Sequence, residues 1–205
     1  MKSLILLEGH NDFIFLEEII RNSPSHNIKF KHFRNDGNKT QKKSEETVLL
    51  RNFAQNNNSY NLLIKEELGK RIVLNLFNNL VINFLAINQG IYLTIILDHD
   101  NQNSETAIQK LQDDLKAKTS NKLEFKYNNQ NREILTGLNY QEYTLFQNSG
   151  KDFKNLTNFS IVSFNKSLEF EVSHFCDKPK NKLDEYDIRH FASKIKFDQL
   201  FPHHY

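Results

Sequence analysis

The stretch Ile91–Leu97 carries no charge and stays β-rich and largely apolar until it halts at Asp98-His99-Asp100. A strand with one wet face alternates polar and apolar residues, whereas an unbroken run must be covered on both faces, as in the interior of a parallel sheet. Ser3–Leu7 has the same character and ends at Glu8-Gly9. A helix is predicted next, capped by Asn11 or Asp12, with Phe13, Leu16 and Ile20 at helical spacing up to Ser23-Pro24.

This alternation of period continues along the chain. Ile28, Phe30 and His32 predict a second strand, followed by a polar insertion at about 35–60 that holds a short helix near Glu45–Phe53. Leu62–Ile64 reads as a strand. The next helix shows two ridges, Ile72/Leu76/Leu80/Phe84 and Val73/Phe77/Val81/Leu85, and is expected to be substantially buried. After the strand at 91–97, a cap at Ser104 opens a helix carrying Ala107, Ile108, Leu111 and Leu115, and a strand is expected near Leu123–Tyr127.

Strand and helix in alternation predict an α/β fold with a mostly parallel central sheet, right-handed crossovers and helices on both faces. Residues 128–158 show no readable pattern. Beyond them a strand at Phe159–Phe164, a helix at Ser167–Phe175 and a last helix at Leu183–Lys196 are predicted. The 205 residues fit a single domain, with residues 1–127 as its core and 128–205 as a C-terminal α/β extension.

Composition narrows the function. A net charge of +2 is too small for the chain to bind polyanions by bulk charge, so any nucleic-acid contact must come from local patches. Lys29, Lys31 and Arg34 form one such patch, and Lys178, Lys194 and Lys196 belong to another. A lysine-rich surface solvated for its own sake accounts for most of these better. The lone Cys176 rules out an internal disulfide framework and a cysteine-built zinc site, and it points to a reducing, cytoplasmic setting. The N-terminal run is broken by Glu8 and reads as a strand rather than a signal peptide, while Asn75, Asn78, Asn79 and Asn83 interrupt the longest apolar region, so no membrane association is expected.

Ligands of open parallel sheets bind at the carboxyl ends of the strands. Glu8, Asp98 and Asp100 stand at two such ends, and on an extended segment residues two apart point the same way, so Asp-x-Asp offers paired hard oxygen ligands for Mg²⁺ or Mn²⁺. Isolated acids at strand ends are more often caps or turn residues. His10 and His99 lie within the two motifs, and a Lys in the last helix, Lys194 or Lys196, is a candidate for stabilising developing phosphorane charge. His203 and His204 make a weak metal pair, and Cys176 reads as structural.

An apolar strand ending in Glu8-Gly9 with Asp12 four residues after the glutamate, followed by crossovers and a hydrophobic strand ending in Asp98-His99-Asp100, resembles the TOPRIM domain. That domain is shared by bacterial primases, type IA and type II topoisomerases, RNA-maturation nucleases and OLD-family nucleases. The resemblance covers roughly residues 1–127 and implies a Rossmann-like TOPRIM core. Glu8 is then the general acid/base or a metal ligand, with Asp98 and Asp100 as Mg²⁺ ligands. By similarity to OLD-like members, Asp12 and the Glu169 of Ser167-Leu168-Glu169 complete a two-metal set. Asn101-Gln102-Asn103-Ser104 follows the Asp-x-Asp where primases and topoisomerases usually carry a further Asp and a nearby Gly.

The expected activity is Mg²⁺- or Mn²⁺-dependent hydrolysis of phosphodiester bonds in DNA or RNA. OLD-like units often work with an ATPase. This sequence has no G-x-x-x-x-G-K-[ST] loop, so an ATPase on another chain is a candidate partner. Two rivals are a non-catalytic nucleic-acid-binding module on the same scaffold and a phosphotransferase or response-regulator-like protein phosphorylated on Asp98 or Asp100.

Overall fold

The computed structural model describes residues 2–23, 27–35, 41–55, 59–85, 90–100, 104–150 and 153–203. Pro24, residues 56–58 and 101–103 and His204 lie outside them, as do the side chains of Phe84, Leu85 and Ser104. Seven strands form one sheet in the order β2-β3-β1-β4-β7-β6-β5. They are β1 Lys2–Leu7, β2 Phe30–Arg34, β3 Leu62–Glu66, β4 Ile91–Asp98, β5 Leu123–Leu135, β6 Leu138–Asn148 and β7 Phe153–Phe164. The first five in spatial order, β2 to β7, are parallel, and β6 and β5 extend the sheet antiparallel from β7. The chain is therefore α/β with a mostly parallel sheet, as the apolar runs predict.

The helices are α1 His10–Arg21, α2 Gln41–Ala54, α3 Lys70–Leu80, α4 Ser104–Lys118, α5 Leu168–Cys176, α6 Glu185–Ala192 and α7 Phe197–Leu200. Alternate residues of the interior strands feed two cores. Ile5, Leu7, Ile64, Ile96, Val162 and Phe164 pack with α1, α5, α6 and α7 on one face. Leu4, Leu6, Leu63, Leu93, Ile95, Leu97 and Ile161 pack with the helices α2, α3 and α4 on the other. Every residue of β1 from Ser3 on is buried, as a run without alternation requires.

Several local expectations change. Gly9, not Asn11 or Asp12, caps α1, and Asp12 is its third residue, turned back to accept the Gly9 N–H at 3.0 Å. The helix within the polar insertion is the longer α2 and is not purely superficial, since it buries Phe53 completely. Of the two ridges on α3, Val73, Phe77 and Val81 are buried whereas Ile72 is 39% exposed, and the helix passes into a π-helical turn at Val81–Leu85. The helix expected at Leu183–Lys196 is shorter: α6, opened by an Asp184/Asp187 capping box, stops at Ala192, and α7 follows beyond the expected range. Lys194 and Lys196 lie in the turn between them, exposed, rather than on a helix.

The region without a readable pattern consists of long antiparallel strands. Gly137, at φ +82°, makes the tight turn from β5 to β6 in a backbone conformation that L side chains rarely adopt, and it is packed beside the Glu171 carboxylate. The strand expected near Leu123–Tyr127 extends to Leu135 and forms the sheet's antiparallel edge.

Candidate functional site

The strand order puts β3, β1 and β4 side by side, so the loops after them share one rim of the sheet. β1 delivers Glu8, its continuation into α1 delivers Asp12, β4 delivers Asp98 and Asp100, and α5, which follows β7, delivers Glu169. All five acids predicted from the sequence influence one another there: Glu8 feels the charges of Asp98 and Asp100, while Asp12 feels those of Asp98, Glu8 and Glu169.

Backbone donors hold the first two layers of this cluster. Glu8 Oε1 accepts the Asp98 N–H at 3.0 Å, and Asp98 Oδ1 accepts the Leu168 N–H at 3.0 Å, at the start of α5, where the helix dipole favours a negative charge. Asn11 Nδ2 donates to Glu169 Oε1 at 2.8 Å, linking the first turn of α1 to that of α5. Asp100 is not on an extended segment: its backbone is left-handed at φ 50°, with its N–H on the Lys166 carbonyl at 2.7 Å. Aspartate tolerates that conformation, and the two acids of the motif are set apart by a turn rather than aligned by a pleat.

The electrostatics are those of unneutralised acids. Burial, with the like charge of Asp98 adding to it, pushes the Glu8 carboxyl up to about 7 against the pull of the Asp98 N–H. Asp98 is likewise pushed to about 7, by burial first and then by Glu169 and Asp100. Asp12, only 7% exposed, is held well above the ordinary carboxylate range by burial and by Asp98 and Glu8. Among the described residues, one cation enters the cluster. Lys70, at the start of α3, donates to the Asp98 carbonyl and lies 3.4 Å from Asp100 Oδ2, and Gly69 before it donates its N–H to the Glu8 carbonyl at 2.8 Å.

Lys70 and Asn11 are the members that sequence reasoning missed. Gly69-Lys70 does follow a strand that ends in Glu66-Glu67, a visible signal. Only the adjacency of β3, β1 and β4 gives it meaning. His10 is exposed and turns to Glu66, and His99 is buried with neither ring nitrogen hydrogen-bonded among the described residues. Lys178 is engaged by Asp187 at 2.6 Å, and His203 by Glu142, whereas Lys29 and Lys31 are exposed at the sheet's outer edge. Cys176 is a free, partly buried thiol packed against the first core, raised by burial.

The donor set is all hard oxygen, which suits Mg²⁺ or Mn²⁺ and not a soft metal. Among the described residues no three such side chains are already drawn together as a coordination shell. Like charges repel, and a divalent cation bound by these carboxylates would supply the missing opposite charge. On that chemistry the residues fit the ion.

No family model matches the chain, and no curated protein matches it. Among solved structures, it is similar to two de novo designed proteins of P-loop NTPase fold determined by solution NMR. Each is 15% identical, with 58% of this chain and 75% of the design covered, at TM-scores of 0.33 and 0.34. A likeness at that level carries no weight for function. Fold and site together define an α/β chain with an acidic cluster at the carboxyl rim of its sheet. Among the described residues, no helix is long and apolar enough to cross a membrane.

Proposed function

We propose that this chain is a divalent-metal-dependent nuclease that hydrolyses phosphodiester bonds of DNA or RNA at this rim. The observation that supports it is the gathering of Glu8, Asp12, Asp98, Asp100 and Glu169 from four separate segments, with Glu8 and Asp98 pushed to about 7. A cluster so poorly neutralised is costly to keep for stability alone, and perturbed acids in one place mark candidate functional sites.

When bound there, Mg²⁺ or Mn²⁺ supplies Lewis-acid charge to the phosphodiester oxygens and acidifies its own water. Asp98, Asp100, Asp12 and Glu169 are the candidate ligands. Glu8, titrating near neutrality, is suited to accept the proton of the attacking water. The water oxygen bonds to phosphorus as the bond to the leaving oxygen breaks, and the chain on that side departs. Lys70 offsets negative charge developing on the phosphoryl group. An ATPase on another chain is a candidate partner, and residues from 128 onward are candidates for selecting the substrate.

The test is cleavage of single- and double-stranded DNA and RNA with Mg²⁺ or Mn²⁺ by the native protein, Glu8→Gln and Asp98→Asn. Both replacements keep an oxygen that accepts the existing backbone N–H. Activity in the native protein that disappears in both variants is the expected result. Equal activity in all three overturns the assignment, and salt-sensitive binding without cleavage, unaffected by Asp98→Asn, replaces it with a binding module.

A further inference from the structure

A second cluster abuts the acids on the β3 side. Glu66 closes β3, is 1% exposed, and gathers three basic side chains on its two oxygens. Oε1 lies 2.9 Å from Arg34 Nε, and Oε2 lies 2.9 Å from His32 Nε2 and 3.5 Å from His10 Nδ1. Phe13 lies flat on His32, ring centroids 3.7 Å apart and planes 7° apart, which fixes that imidazole against α1.

Burial holds His32 below the ordinary imidazole range, so Arg34 supplies the positive charge that balances Glu66, and His32 and His10 add ring nitrogens beside it. Arg34 is held through Nε, and among the described residues its two terminal nitrogens have no hydrogen-bond partner; its side chain is 54% exposed and that of His10 50%. The fork is thus oriented from behind and open in front. Its place relative to the acids follows from register: Glu66 pairs with Leu7, the residue before Glu8. Neighbouring strands lie about 4.8 Å apart, so Glu66 stands one strand from β1, while Arg34 and His32, on β2, stand two strands, about 10 Å, from it.

We propose that Arg34, with His32 and His10, forms a phosphate subsite oriented by Glu66, which takes the backbone phosphate flanking the one at the acidic rim. The inference rests on the nuclease reading of that rim. A nucleic-acid strand laid across the carboxylates meets repulsion along its phosphates, and a guanidinium fork two strands away offers donors to a flanking phosphate instead of more acids. A guanidinium held by Nε presents its terminal nitrogens as a fork to two phosphate oxygens, the pairing that arginine makes best. Glu66 acts through Arg34 as a positioning residue.

The test compares the native protein with Arg34→Ala, Arg34→Lys, Glu66→Gln and Asp98→Asn on a labelled single-stranded oligonucleotide. Readouts are KM, kcat, the salt dependence of metal-free binding, and thermal melting to verify folding. Arg34→Ala is expected to raise KM roughly tenfold while changing kcat less, the signature of lost ground-state contact. It should also reduce the slope of log affinity against log salt by about 0.7, one phosphate's worth for a single strand. Arg34→Lys recovers part of the affinity, and a folded Glu66→Gln moves KM in the same direction as Arg34→Ala. If Asp98→Asn abolishes cleavage while Arg34→Ala leaves KM and the salt slope unchanged, the rim assignment stands and the subsite is overturned. If the native protein cleaves nothing, the salt slope decides alone: a slope unchanged by Arg34→Ala overturns the subsite, and a reduced slope upholds it as a nucleic-acid contact.

Discussion

Glu142, halfway along β6, and Glu8, at the end of β1, are both acids withdrawn from water, yet their surroundings differ in kind. Glu142 is enclosed by donors: the Tyr92 and Tyr140 hydroxyls at 3.1 and 3.2 Å, Asn128 Nδ2 at 2.7 Å, Asn158 Nδ2 at 3.4 Å, and the His203 ring. Its neighbours adapt to it, and burial pushes Tyr140 up to about 12 so that the phenol keeps its proton to donate. Glu8 accepts one backbone N–H and otherwise faces Asp98 and Asp100, with Lys70 the nearby cation. A satisfied buried carboxylate is architecture, whereas an unsatisfied one is a cost that the fold tolerates where something else is to bind.

The comparison breaks most visibly in activity. Asp98→Asn should lower metal-dependent cleavage at least about 100-fold, measured as kcat/KM, because a ligand matters at least as much as the groups that orient ligands. In the metal-free protein the Asp98→Asn/Asp100→Asn double variant should melt at a higher temperature than the native chain, and Mg²⁺ should no longer raise its melting point. Persistent metal stabilisation in that variant would refute the ligand assignment.

Glu142→Ala should do the reverse. It leaves several buried donors without an acceptor, costing about 2–3 kcal/mol. At this chain length that corresponds to a fall of about 5–10 °C in calorimetric melting temperature. If both acids gave shifts of one sign, the distinction between the two regions would be lost.

A third and smaller effect is in pH. Glu8 and Asp98 titrate near 7 in the folded chain, above the ordinary values of 4.5 and 3.8 expected when unfolded. Folding therefore takes up protons between those limits, and the stability of the metal-free protein falls as pH rises through that window. Metal affinity, which needs the ionised acids, rises over the same interval and should be followed by calorimetric titration. Lys70→Met removes the offsetting cation, and should move the midpoint of that rise to higher pH. Least of all, Lys194→Ala should leave melting within about 0.5 kcal/mol of native, since that residue lies exposed in a turn.

The parallel half of the fold was legible because burial on both faces leaves an unmistakable trace, as in Ile91–Leu97. The antiparallel half was not. In β5 and β6 apolar positions are interspersed with Asn, Gln and Glu, and a buried Glu142 occupies what pattern reading takes for a wet position. The acids of the site could be selected by type and by their places at strand ends. What no pattern conveys is which strands are neighbours, and so Lys70, Asn11 and the carboxylate of Glu66 acquired their parts only from the order β2-β3-β1-β4-β7.

The bond from the Leu168 N–H to Asp98 has a consequence for the order in which a newly made chain assembles its acidic rim. Glu8, Asp12, Asp98 and Asp100 emerge from the ribosome well before β7 and α5, which carry the donor for Asp98 and the fifth acid, Glu169. Until then the acids repel one another without the segment that helps to seat them. The acidic rim is therefore completed late in synthesis, when strand β7 and the first turn of α5 dock onto β4.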